Sequence, residues 1–183
     1  MTWLFPTIST YLILAIVFLV DKYLLTQRIS NPKVYSFFVG VLGILVLLII
    51  PFVDFYLPEF PQLFLALLAG AIYIFALFWF YKGLQLFEAS RVVPAINGIL
   101  PLFTFGLTFL FSGGKATLSF ADTIAFLFLI FGSVLITHKK EKLFSLNCLR
   151  ISFLTAFFLA LSFVLSKYVY LAQPFWSGFV WIK

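Results

Sequence analysis

Six stretches of this chain stay apolar over the length a helix needs to cross the hydrocarbon core of a bilayer, about 20 residues. They run over residues 5–25, 34–53, 63–81, 90–111, 120–137 and 149–171, and the short connections between them hold the breakers and most of the charges. No connection is long enough to fold as a soluble domain. The pattern predicts an all-α, polytopic membrane protein with six transmembrane helices. Membrane strands are disfavoured, because the runs lack period-two alternation and are about twice the length a strand needs. Composition agrees: 64% of the 183 residues are hydrophobic, 10% are charged, and mean hydropathy is +1.17. A soluble fold of this size could not hide so much apolar surface. Membrane lipids are therefore the expected surroundings, in a multi-pass arrangement in the cell membrane.

The net charge of +6 does not point to nucleic acid, because the basic residues sit in the connections, where they set orientation. Odd-numbered connections hold nine: Lys22, Arg28, Lys33, Lys82, Arg91, Lys139, Lys140, Lys142 and Arg150. The opposite side holds three, Lys115, Lys167 and Lys183, together with Asp54 and Glu59. The positive-inside rule places the odd connections in the cytoplasm and the N-terminus outside. One cysteine, Cys148, excludes an intrachain disulfide, and one histidine, His138, offers no metal site of the usual kind. No cofactor is expected. The N-terminus lacks the basic region of a signal peptide and reads as part of the first helix.

An internal repeat organises the chain. A shift of 145 residues lays Leu14-Ala15 on Leu159-Ala160, Phe18 on Phe163 and Lys22-Tyr23 on Lys167-Tyr168. Polar positions follow: Thr7 falls on Ser152, Thr10 on Thr155 and Asp21 on Ser166. After both helices a proline precedes an aromatic-Ser pair, Tyr35-Ser36 and Trp176-Ser177. Chance similarity between two apolar helices is the competing explanation. With five helices between the starts, the second copy enters the membrane from the opposite side, as in the inverted repeats of secondary transporters. The expected organisation is a five-helix unit over 1–142 and the opening of a second over 143–183, a truncated form of a five-plus-five transporter.

Polar side chains and breakers in membrane helices gather on faces that meet other helices or water. In the fourth stretch Ser90, Pro94, Asn97, Pro101, Thr104 and Thr108 share one side by steps of three and four. Each interior proline frees a carbonyl one turn earlier. Such a face suits a substrate cavity, and equally a kinked packing helix. The sixth stretch aligns Ser152, Thr155, Ser162 and Ser166, although such hydroxyls also bond back to their own helix. In the third, Gly70, Tyr73 and Tyr81 align; Tyr73, at mid-span, is the cavity candidate and Tyr81 reads as an interfacial anchor. Substrate-cavity candidates are thus Asp21, Tyr73, Pro94, Asn97, Pro101, Thr104, Ser162 and Ser166. Coupling or gating charges would come from Asp21, Lys22, Glu88, Arg91 and Lys167, because ionisable groups within spans are functional by default. Lys22 and Lys167 have snorkelling as an alternative, and Glu88 with Arg91 has pairing across one helical turn.

The stretch from Tyr81 through Glu88-Ala-Ser-Arg-Val-Val-Pro94 to Leu100-Pro101 resembles the end of the third and start of the fourth helix of EamA-type transporters, in the drug/metabolite transporter superfamily. Gly114-Lys-Ala-Thr-Leu, continuing to Phe131-Gly-Ser-Val-Leu-Ile136, is similar to that family's fifth helix at its entry and exit. The resemblance covers the first unit and the opening helix of the second. It implies export or exchange of amino acids, other metabolites or drugs through a cavity lined by the first, third, fourth and sixth helices. Lys115 stands where family members commonly carry Glu, and members are usually drawn with a cytoplasmic N-terminus, opposite to the charge distribution here.

The leading expectation is a small-molecule secondary transporter working by alternating access, with homo-oligomerisation open. A non-transporting membrane partner or lipid-carrier flippase subunit is the alternative. A membrane enzyme is disfavoured, because one His and one Cys cannot supply convergent catalytic groups. No P-loop supports ATP drive.

Overall fold

The computed structural model describes residues 4–53, 55–114, 119–137 and 146–183. The expectations at Asp54, Lys115, His138, Lys139, Lys140 and Lys142, and the boundary between residues 142 and 143, lie outside the described residues. Among the described residues seven α-helices follow in order: α1 (Leu4–Gln27), α2 (Pro32–Gly43), α3 (Phe60–Leu86), α4 (Ala89–Phe111), α5 (Phe120–Thr137), α6 (Leu146–Ala172) and α7 (Phe175–Ile182). A 3₁₀ segment, Ile44–Phe52, continues α2 without a break. Five helices are long and apolar enough to cross a membrane: Leu4–Gln27, Pro32–Phe52, Phe60–Leu86, Ala89–Phe111 and Asn147–Ala172. The protein is therefore all-helical over its described residues, with the helices of a polytopic membrane protein. The α5 region contributes a shorter apolar helix, Phe120–Gly132.

Local chemistry sets the helix ends. Asn31 caps α2, its side chain accepting from the Lys33 amide at 3.0 Å, with Pro32 at the first helical position. At the start of α5 the Asp122 carboxylate reaches back to accept from the Ser119 amide at 3.0 Å, half of a capping box. The end of α4 closes as a Schellman turn. Gly113 and Gly114 hold positive φ of 65° and 81°, and their amides bond Leu110 O and Phe109 O.

Helix direction follows from which residues meet. Phe18 of α1 packs on Phe80 of α3 with ring centroids 5.3 Å apart, and Lys22 reaches the residues just after, so α1 and α3 run the same way. On α6, Ser162 meets Ala69 and Phe158 meets Phe75, so α6 runs against α3. Phe103 of α4 packs on Phe153 and Phe157, and Phe111 on Tyr168, so α4 runs with α6. Accordingly, α1 and α6 cross the bundle in opposite senses. Small residues let the helices close up: Ala66, Ala69 and Ala76 on α3 and Ala156 and Ala160 on α6 are fully buried. A Cβ on Gly70 would fall 2.3 Å from the Ile182 carbonyl, so glycine is what allows α7 to lie on α3.

The core is concentrated at one end. Leu25, Tyr35, Leu77, Phe80, Tyr81, Leu84, Val92, Ile96, Cys148 and Ala156 form one cluster that joins α1, α2, α3, α4 and α6. Ala66, Val169 and Ile182 form a smaller one at the other end of α3. Beyond the large cluster α1 is exposed, burying only Asp21 and Leu25.

Candidate functional site

Asp21 and Lys22 are neighbours on α1, and successive helical positions point about 100° apart. Asp21 turns towards α2. It is buried, and the Tyr35 hydroxyl donates to its carboxylate at 2.6 Å. Tyr35 in turn meets Tyr81 edge-on, with centroids 4.7 Å apart and planes at 88°. Tyr81 is only 5% exposed, which corrects its reading as an interfacial anchor: its ring fills the wedge between α2 and α3 instead. Among the described residues Asp21 is the one buried acid.

Lys22 turns the other way, to the end of α3. Its ammonium donates to the carbonyls of Leu84, Gln85 (3.3 Å) and Phe87 (2.9 Å). These are acceptors that a helix C-terminus leaves without intrahelical donors, and a cation there also meets the negative end of the helix dipole. Lys22 is thus a cap on a neighbouring helix, not a free snorkelling charge. Gln85 completes the junction by donating its amide to Ser30 O at 2.5 Å. One short stretch of α1 therefore ties α2 through its acid and α3 through its base.

The other candidates lie elsewhere. Tyr73 is half-buried at the edge of the large cluster, with the Lys183 ammonium 4.3 Å above its ring. Ser162 is buried and donates to Ala69 O at 2.9 Å, a helix-to-helix bond. Ser166 donates back to Ser162 O at 2.8 Å and Thr155 to Ile151 O at 2.8 Å, both within α6. Glu88 and Arg91 pair at 3.5 Å with Glu88 62% exposed, a surface contact at the start of α4. Lys167 is exposed at the opposite end of the bundle from Lys22.

The α4 face forms a second, separate feature. Val92, Ala95, Ile96 and Gly98 turn inward, whereas Asn97 is exposed and Pro94, Pro101 and Thr104 are partly exposed. Thr104 donates back to Leu100 O at 2.9 Å. Pro101 has no amide, so the Asn97 carbonyl lacks its usual donor one turn on. Asn97 thus offers a carboxamide and a backbone carbonyl together on the outer side of a membrane-length helix.

Sequence reasoning picked out Asp21 and Lys22 but not their partners. Tyr35 entered only as a mark of the repeat. The available signal was a phenol a few residues past a short connection, at the same end as an intramembrane acid. No protein-family model matches this chain, and no curated protein or solved structure is detectably similar to it.

Proposed function

We propose that this protein is a small-molecule secondary carrier in which Asp21 is the titrating group that couples movement to protons. The observation that carries this is a carboxylate buried inside a bundle of membrane-length helices, held by one phenol and flanked by a second. An ionisable group is costly in that setting and marks ion and proton paths. The opposed crossing of α1 and α6 against α3 supports a unit of the inverted-repeat kind, with six crossings here and α6 opening the second copy. Ser36 and Ser177, each following an aromatic residue near the start of its helix, are both buried, in keeping with the duplication. On this reading the α4 face at Asn97 contributes to the substrate path, and amino acids, related metabolites or amine drugs are the substrate classes to try. The basic connections face the cytoplasm by charge.

Cells expressing the gene that encodes this chain test the proposal, with accumulation of a labelled panel of amino acids and amines as readout. At least one compound should accumulate to a different level than in control cells. That difference should vanish with Asp21→Asn and on collapsing the proton gradient. A panel unchanged by expression, or a difference that Asp21→Asn leaves intact, would remove the coupled-carrier reading.

A further inference from the structure

A groove of about 560 Å³ opens between the end of α3 and the start of α6, lined by Trp79, Lys82, Leu86, Phe87, Asn147, Arg150, Ile151 and Leu154. It touches the Lys22 junction only at Phe87, does not include Asp21, and plays no part in the carrier mechanism. Its chemistry is divided. Leu86, Ile151 and Leu154 give apolar walls, while Lys82, Arg150 and Asn147 bring donors. Among the described residues neither cation has an acid within salt-bridge distance. The Lys82 ammonium sits 4.8 Å over the Trp79 ring, so the cation is held at the groove wall.

Two cations and an amide call for an anion with several acceptor oxygens. The groove sits where α3 ends and α6 begins, two helices of membrane-crossing length. We infer that this groove binds an anionic phospholipid, its phosphate between Lys82 and Arg150 and an acyl chain along Ile151 and Leu154 towards Trp79. Basic pockets between membrane helices take anionic headgroups in this way. A free phosphate would satisfy the same donors but would leave the apolar walls uncovered. The inference requires only that the chain lies in a membrane.

Native mass spectrometry of the delipidated full chain in detergent decides it, titrating phosphatidylglycerol against phosphatidylcholine of identical acyl chains. Phosphatidylglycerol should be retained preferentially. Lys82→Gln and Arg150→Gln should each cut that preference roughly fivefold, the change expected for about 1 kcal/mol per cation near a headgroup. Arg28→Gln and Lys33→Gln, at the same end but outside the groove, should leave it unchanged. Equal retention of the two lipids overturns the inference, as does an equal loss in the Arg28 and Lys33 variants. Displacement by millimolar inorganic phosphate would assign the site to a soluble anion and overturn the lipid. A second readout needs no cation variant. In a chain whose only tryptophan is Trp79 (Trp3, Trp176 and Trp181 replaced by Phe), chain-brominated phosphatidylglycerol in vesicles should quench its emission more than brominated phosphatidylcholine. Equal quenching counts against the site.

Discussion

At the scale of single residues, two adjacent charges of opposite sign do different jobs because a helix turns them apart. Asp21 takes a hydrogen bond from Tyr35, and Lys22 closes the end of α3. Tyr35→Phe should therefore leave a buried acid without its donor and lower stability by about 1–3 kcal/mol, read from unfolding in mixed micelles. Asp21→Asn should be milder than Tyr35→Phe, since a carboxamide still accepts from the phenol. The double variant should cost less than the two single changes added, the mark of residues in direct contact. Lys22→Met should fray α3 at its end, seen as faster hydrogen exchange over residues 84–88 with the α6 amides unaffected. The presence of a charged pair within the first apolar run was legible in the sequence. Its partners were not, because Tyr35 and the Leu84–Phe87 carbonyls come together only through the folding of α2 and α3 beside α1. Backbone acceptors have no signature in a sequence at all.

At the scale of elements, the boundaries of α1 and of α3 to α6 were readable to within about five residues from apolar length alone, whereas the short α7, Phe175–Ile182, was not read. The change from α to 3₁₀ within Pro32–Phe52 was not readable, because both forms use the same apolar residues and differ only in hydrogen-bond register. Periodicity placed the hydroxyls of α6 on one face correctly but could not say what that face meets. Ser162 meets a backbone carbonyl of α3, so Ser162→Ala should cost only about 0.6 kcal/mol, as is usual for hydrogen bonds between membrane helices. Ala160→Leu, at a fully buried position of α6, should cost more, about 1–3 kcal/mol, by overpacking. Both are checked by the same unfolding assay. The α4 face makes a different prediction. In a Cys148→Ser background, Asn97→Cys should react with a small hydrophilic thiosulfonate in membranes, whereas Leu102→Cys, exposed on an apolar side, should not. Equal protection at the two positions would mean that α4 turns its polar side to another helix and not to water.

For the whole molecule, several basic residues that are scattered in sequence gather at one end. Lys22, Lys82, Arg91 and Arg150 belong to the junction where α1, α3, α4 and α6 meet, and Arg28 and Lys33 flank it. The charge distribution in the sequence predicts which ends share a side, whereas the uneven distribution of the core along the bundle axis has no signal there. Sidedness follows: a membrane-impermeant thiol reagent should label Lys33→Cys and Lys167→Cys from opposite faces of sealed vesicles. Labelling from one face would break the alternation that the opposed helices require. The fastening of α1 has a mechanical corollary. A rod pinned near one tip turns slight rotation at the pin into a wide sweep at the free tip. From Asp21 back to Leu4 the rod is roughly 25 Å long, so every degree of tilt at the pin displaces the far tip by about 0.4 Å.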